Sequence, residues 1–299
     1  MIRTTLRGAY LKWMPKVFRK NLLLLKSDHL IKLKYDILLY YKKENNPDIE
    51  KRSVLEFLKK QSAAVVFPYE FINEYTPEKI DVFKDPENEF SYVIHKGKKL
   101  YFKKSWNEHR IKTYYISLLI EQDYRSPHTY KTNEINLKND GTICDVGAAE
   151  GIFSLELVDK AKNLHLVEID EEWIEALKHT FSPWMNKVAI HRKYITDHVD
   201  EFSTTIDVFF KGQQIDLLKA DIEGEEVKML EGSVEMLQAK KIKKLIICTY
   251  HKSEDFLNVK RILENNSYEI YPSNGVMIYI YDEKIGPPYF RTALIRTYK

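Results

Sequence analysis

Cys144-Asp145-Val146-Gly147-Ala148-Ala149-Glu150-Gly151 decides how the chain is read. The segment joins a β-prone run at Thr142–Val146 to a helical pattern at Ile152–Lys160. Gly147 and Gly151 let the backbone turn sharply and leave room for a ligand. The helix behind them presents unpaired N–H groups and a positive dipole end, where a carboxylate or phosphate fits. Two glycines alone also suit an ordinary tight turn between a strand and a helix.

Downstream, strands and helices alternate. Strands are predicted at 164–169, 188–191, 215–220 and 244–250, and helices at 171–180, 225–237 and 253–265. That alternation implies an α/β fold, a doubly wound and mainly parallel sheet covered on both faces. Tyr268–Tyr271 and Val276–Tyr281 read as a hairpin giving the sheet an antiparallel edge, with Ala293–Thr297 as a further candidate strand. Upstream, a helix is expected from Asn107 to Ile120, with Ile111, Tyr114, Tyr115, Leu118 and Leu119 as its buried stripe. Lys96-Gly97-Lys98 lies between two alternating runs and predicts a hairpin, and Ala64–Phe67 is a further β-prone run. Leu22, Leu25, Leu30, Leu33, Ile37 and Tyr41 fall near helical spacing. Asn45-Asn46-Pro47 punctuates, and Ser53 is the expected cap of a second helix through Val54, Leu55, Phe57 and Leu58. Two domains are therefore expected: residues 1–104, a helical and β-hairpin extension, and residues 105–299, the α/β domain.

Composition narrows the class. The 299 residues are 44% hydrophobic and 30% charged, which is globular rather than disordered or fibrous. Two cysteines, Cys144 and Cys248, cannot build a disulfide framework or a four-thiolate zinc site. Both sit in apolar runs, so reduced, buried thiols in a cytoplasmic protein are expected. No apolar run reaches the ~20 residues of a membrane helix, and no secretory pattern opens the chain. Residues 1–60 hold 15 Lys+Arg against 6 Asp+Glu, whereas the rest hold 32 against 38. The basic end suits a solvated helix pair, a peripheral membrane contact, an anionic polymer or nucleic acid.

The strand tips carry the chemistry. Glu168 lies 21 residues after Gly147, at the end of the second strand, where an acid grips ribose hydroxyls. That arrangement serves NAD and S-adenosylmethionine alike. The spacing D-x-G-x-x-x-G departs from the dinucleotide fingerprint GxGxxG. Asp145 is placed to receive a ligand ammonium, which S-adenosylmethionine has and NAD lacks. Asp197 follows the third strand, where an adenine amino group would be bound, although a loop Asp more often makes a turn. Asp221, Glu223, Glu225 and Glu226 cluster after the fourth strand; Glu225 and Glu226 also suit a helix N-terminus. His251 ends the fifth strand on the same rim and has the pKa range of a general base.

At these residues the sequence resembles the FkbM-type family of S-adenosylmethionine-dependent methyltransferases. The matching strings are Asp145–Gly151, Val167-Glu168, Leu218-Lys-Ala-Asp-Ile-Glu-Gly-Glu225 and Leu230-Glu-Gly-Ser233, across roughly residues 141–281. Gln122-Asp with Ser126-Pro-His128, Cys248-Thr-Tyr-His251 and Pro288 to Arg296 resemble a bacterial branch. Glu150 stands where the family often has Asn. The resemblance implies a Rossmann-like class I methyltransferase domain and O-methylation of a sugar or polyketide hydroxyl. On that reading S-adenosyl-L-methionine is held by Asp145, Gly147, Ala148, Gly151, Glu168 and Asp197, with Gln122 and His128 closing over it. His251 is the base, oriented by Asp221 or Glu223. A divalent cation held by Asp221, Glu223 and His251 is a rival that no spacing demands. The acceptor is expected to be a small molecule or carbohydrate; RNA is disfavoured because no aromatic–basic RNA signature is present. A nicotinamide-dependent oxidoreductase and a non-catalytic module whose helical N-terminus docks a partner are the competing classes, and each is compatible with a homo-oligomer.

Overall fold

A computed structural model describes residues 16–44, 48–132, 141–282 and 284–298. The chain forms two compact units, Met1–Glu70 with Ile278–Tyr289, and Phe71–Met277 with Phe290–Lys299. The first unit holds helices α1 (Lys16–Lys42) and α2 (Ile49–Lys60). Leu33, Ile37 and Tyr41 of α1 are buried, as are Val54, Leu55, Phe57 and Leu58 of α2. Asn45-Asn46-Pro47 and the Leu22 and Leu25 side chains lie outside the described residues. The cap of α2 is Asp48 rather than Ser53, because its carboxylate accepts from the Lys51 N–H at 2.7 Å and starts the helix earlier. Ala64–Phe67 forms no strand; Ala64 N instead donates to the Leu30 carbonyl and Ile278 N to that of Val66.

The second unit opens with a small sheet of β1 (Phe83–Lys84), β2 (Ser91–His95) and β3 (Lys98–Tyr101). The β2–β3 hairpin turns through Lys96 and Gly97, both with positive φ, as a two-residue turn requires. Helix α3 (Glu108–Glu121) follows, with Asn107 Oδ1 accepting from Arg110 N. Its buried face is Ile111, Tyr115, Ile116 and Leu118; Tyr114 and Leu119 are half-buried.

The main sheet contains β4 (Gly141–Val146), β5 (Ala161–Glu168), β6 (Val188–Arg192), β9 (Leu217–Ala220), β10 (Leu245–Cys248), β11 (Ile270–Pro272) and β12 (Leu294–Thr297). A separate short pair, β7 (Tyr194–Ile195) and β8 (Ser203–Thr204), lies between β6 and β9 in the chain. The spatial order is β11-β12-β10-β9-β4-β5-β6. The five strands from β10 to β6 are parallel; β12 runs antiparallel between β10 and β11. Helices α4 (Ile152–Leu157) and α5 (Glu171–Thr180) make the crossovers to β5 and β6 on one side of β4. After α6 (Ile206–Phe210) the chain returns to β9 on the other side, and α7 (Glu226–Glu231) with α8 (Val234–Gln238) leads to β10. Right-handed crossovers running both ways from β4 cover both faces. Helix α9 (Asp255–Asn265) then leads to β11. Residues of β9, β10 and β12 are buried throughout; β10 is apolar along its whole length, while β9 and β12 each bury a basic residue, Lys219 and Arg296. This is a doubly wound, Rossmann-like α/β fold.

Two expectations change. The helix at 225–237 is broken between α7 and α8, because Gly232 packs so closely on Thr196 that a Cβ would lie 2.1 Å from its carbonyl oxygen. The hairpin of 268–271 with 276–281 does not form. β11 pairs with β12 instead, and Met277 makes only an isolated bridge to Arg291. The chain beyond Met277 departs for the first unit, where Val66 takes the Ile278 N–H, and so is unavailable to the sheet.

Candidate active site

Strand order reverses between β4 and β9, so a crevice opens outside their carboxyl ends. There the chain turns through Gly147, whose N–H, like that of Ala148, donates to Val167 O. Gly147 has φ +73°, and a Cβ on it would lie 2.0 Å from the Asp221 carbonyl oxygen. No side chain fits. Gly151 (φ +82°) serves packing instead: a Cβ would meet Leu177 Cδ2 at 2.7 Å and Phe181 Cε2 at 2.8 Å.

A cavity of about 80 Å³ lies over this loop. Tyr114, Leu118, Glu121, Gln122, Tyr130, Asp145, Gly147–Phe153 without Gly151, Lys219 and Asp221 line it. Gln122, Asp145, Gly147, Ala148 and Asp221 thus come together as expected of one site. Gly151, Glu168, Asp197, His128, Glu223 and His251 lie off the cavity wall.

Asp145 is not free to receive a ligand ammonium directly. It is 1% exposed, accepts from Ser154 Oγ at 2.6 Å and is paired with Lys219 Nζ at 2.9 Å. Lys219 sits opposite it in the β4–β9 register and also donates to Gly147 O at 2.8 Å. Burial favours its neutral form, but Asp145 and Asp221 outweigh that and raise its pKa. Glu168 accepts backbone N–H bonds from Ala149, Ile169 and Asp170, and thereby ties the glycine loop to the tip of β5. Gln122 caps α3 and accepts from Tyr130 N at 3.0 Å, closing the 122–130 loop. Asp197 is exposed and bound to His198 Nδ1 at 2.8 Å, a local turn arrangement.

Asp221 joins the cavity to a buried polar network. Tyr130 and Tyr250 hydroxyls donate to its two oxygens at 2.7 and 3.0 Å. His251 Nε2 lies 3.4 Å from Oδ1 and His128 Nε2 3.7 Å from Oδ2. Burial would raise the Asp221 pKa, yet His251, Lys219 and His128 hold it well below the usual range. His251 Nδ1 lies 3.0 Å from Glu226 Oε1. Burial alone would lower the His251 pKa, but Glu226 first and then Asp221 push it up to about 8. His128 is pushed down to about 4, chiefly by burial, and so is neutral at pH 7.

Of the acids expected beside His251, Asp221 faces its Nε2, while Glu226 and not Glu223 faces its Nδ1. Glu223 has φ +57° and Gly224 φ +93°, and this reversal leaves Glu223 exposed while carrying Glu226 inward. Spacing did flag Glu226, but as a helix N-terminal acid. Tyr130, Tyr250 and Lys219 also escaped notice as site residues. The Lys219 position could have been found by aligning β9 with β4, which puts it beside Asp145.

One ligand atom each from Asp221, Glu226 and His251 lies within 4.8 Å of the others, and the same holds for His128, Asp221 and Cys248. Yet His251 faces carboxylates from both ring nitrogens, so a cation would have to displace one of them. The arrangement is better suited to hold and move a proton, with Asp221 the member that reaches the cavity.

Residues 190–270 match the methyltransferase FkbM domain. No curated protein matches the chain. Among solved structures, the chain is similar to methyltransferase FkbM from Methylobacillus flagellatus KT, at 17% identity and TM-score 0.47 over 64% of this chain. It spans about half, 53%, of that protein's length. It is also similar to M. capricolum TrmK in complex with S-adenosyl-homocysteine, at 18% identity and TM-score 0.36, over 55% of this chain and 64% of that one. The matched stretch, residues 190–270, includes Asp221, Glu226 and His251.

Proposed function

We propose that this chain is an S-adenosylmethionine-dependent O-methyltransferase acting on a hydroxyl of a sugar, glycan or related small molecule, with residues 105–299 as its catalytic part. The observation that carries the reading is the acid-lined cavity over the Gly147 loop, at the switch point and bounded by Asp221. Its lining has four carboxyl groups, Glu121, Asp145, Glu150 and Asp221, against one ammonium, Lys219, and a cationic donor would favour their ionised forms. Ala148 and Ala149 keep the loop's surface small beside the ligand. When bound, S-adenosylmethionine supplies an activated methyl group.

The chain's own task is to align an acceptor hydroxyl and take its proton. Asp221 meets the acceptor at the cavity wall. His251 stands behind it as the base, acting through Asp221, and Glu226 fixes the ring from the far side. The two tyrosine hydroxyls on Asp221 hold its carboxylate in place. A small acceptor fits the charge pattern better than nucleic acid, because residues 61–299 are net acidic. Cytoplasmic action suits two buried free thiols. Among the described residues no helix is long and apolar enough to cross a membrane.

The test is titration calorimetry with S-adenosylmethionine, then mass spectrometry of candidate glycans for the gain of one CH₂. Binding with a methylated product is expected. Tight binding of reduced nicotinamide with none of S-adenosylmethionine would reverse the assignment, and donor binding without any methylated product would favour a binding module.

A further inference from the structure

The cavity's charges are unevenly neutralised. Asp145 is cancelled by Lys219, and Asp221 faces His251. Glu121 and Glu150 also line the cavity, yet among the described residues neither has an ion-pair partner. Glu150 is 4% exposed, and its Oε2 accepts from Tyr114 OH at 2.8 Å, which fixes the carboxyl in place. Glu121, from the last turn of α3, is half-buried across the same space.

Two carboxyls held in an enclosed space without a counter-charge are poorly satisfied. Burial first, and then Asp221 and Glu150, push Glu121 up to about 8. Burial pushes Glu150 up to about 7, against the opposing pull of Tyr114. A bound ammonium would supply the missing charge and three N–H donors. The Gly147 loop fixes where such a ligand lies, and Lys219 bars it from Asp145.

We propose that Glu121 and Glu150, not Asp145, receive the ammonium of the donor's amino-acid tail. The proposal rests on the cofactor reading above. It requires that binding ionise both carboxyls and release protons near pH 7, so affinity rises with pH up to about 8. Glu150 then does in this chain what the sequence reading assigned to Asp145.

Calorimetry with two probes separates the possibilities. S-adenosylhomocysteine carries the ammonium; 5′-methylthioadenosine is a related nucleoside thioether without the amino-acid tail. Glu121→Gln and Glu150→Gln are each expected to weaken S-adenosylhomocysteine about 10- to 100-fold, the range of a lost charge-assisted hydrogen bond. Methylthioadenosine affinity should not move. Titration in buffers of different ionisation enthalpy should show proton release in the wild type and less of it in each variant. Unchanged S-adenosylhomocysteine affinity in Glu121→Gln, or a parallel loss for methylthioadenosine, overturns the proposal while leaving the cofactor reading intact. If neither probe binds the wild type, the cofactor reading falls and this inference with it. Should Glu150→Gln fail to fold, the half-buried Glu121→Gln decides alone.

Discussion

Replacing Gly147 with alanine tests how closely β4 and β9 approach at the site. The substitution has two costs that the structure separates. The first is backbone: φ +73° puts an L-residue in the left-handed region, at about 1–2 kcal/mol. The second is steric. The new Cβ would lie 2.0 Å from Asp221 O and 2.9 Å from Ile222 Cγ2, so the strand tips must part by more than an ångström, about 1.4 Å, to reach ordinary contact. That movement opposes the 3.1 Å bond from Asp221 N to Val146 O. Overpacking of this kind adds about 1–3 kcal/mol, giving about 2–5 in all. Gly97→Ala is the matched control, with φ +81° and nothing within 4 Å of the built Cβ. It should lose only the backbone part. Urea denaturation should place Gly147→Ala about 1–3 kcal/mol below Gly97→Ala, with a melting difference of roughly 2–12 °C. If the two variants unfold at the same urea concentration, the close approach of the strand tips is wrong, and the geometry of Asp221 with it.

Three further outcomes are expected. His251→Ala should leave donor binding nearly unchanged and slow methyl transfer about 10²–10⁴-fold, measured by product mass spectrometry; undiminished turnover would remove the residue from the mechanism. A base must be neutral to act, so turnover should rise with pH through about 8, and Glu226→Gln should move that inflection to lower pH; an unmoved profile would deny the pairing. The raised pKa also means that protonated His251 stabilises the fold fully below about pH 6.5, a contribution lost as pH rises through about 8. Lys219→Met leaves buried Asp145 without its cation and should cost about 3–5 kcal/mol in urea denaturation, largely restored by Asp145→Asn in the same chain; a neutral single variant would contradict the pair.

The parallel half of the fold was legible because its signals are local. Apolar runs, glycine turns and helix-period stripes at 141–220 each report on themselves, and α5 appears over the predicted residues. Features set by distant contacts were not. The break at Gly232 is imposed by the Thr196 carbonyl, and the 276–281 segment is drawn away by Val66. In the site, spacing located the rim but could not choose among Glu223, Glu225 and Glu226. The choice was made by two consecutive left-handed residues, one of them the non-glycine Glu223. Asp145 stood out as an acid beside the glycine turn, yet the Lys219 that pairs with it lies 74 positions along the chain. Glu121 gave no signal at all, because a carboxylate at a helix end is ordinary until the helix is seen to point it into a cavity.

The place of β12 has a consequence for biosynthesis. Leu294–Thr297 is wedged between β10 and β11, so β11 and the edge of β10 that faces away from β9 stay unpaired until residue 297 has left the ribosome. At ~5–20 residues per second, the interval after β10 is made lasts on the order of seconds. During it the nascent chain displays an unpaired apolar edge, the kind that captures other strands. A newly made copy is therefore most vulnerable to aggregation just before its final strand arrives, and chaperone cover over that interval should govern its yield more than the stability of the finished molecule does.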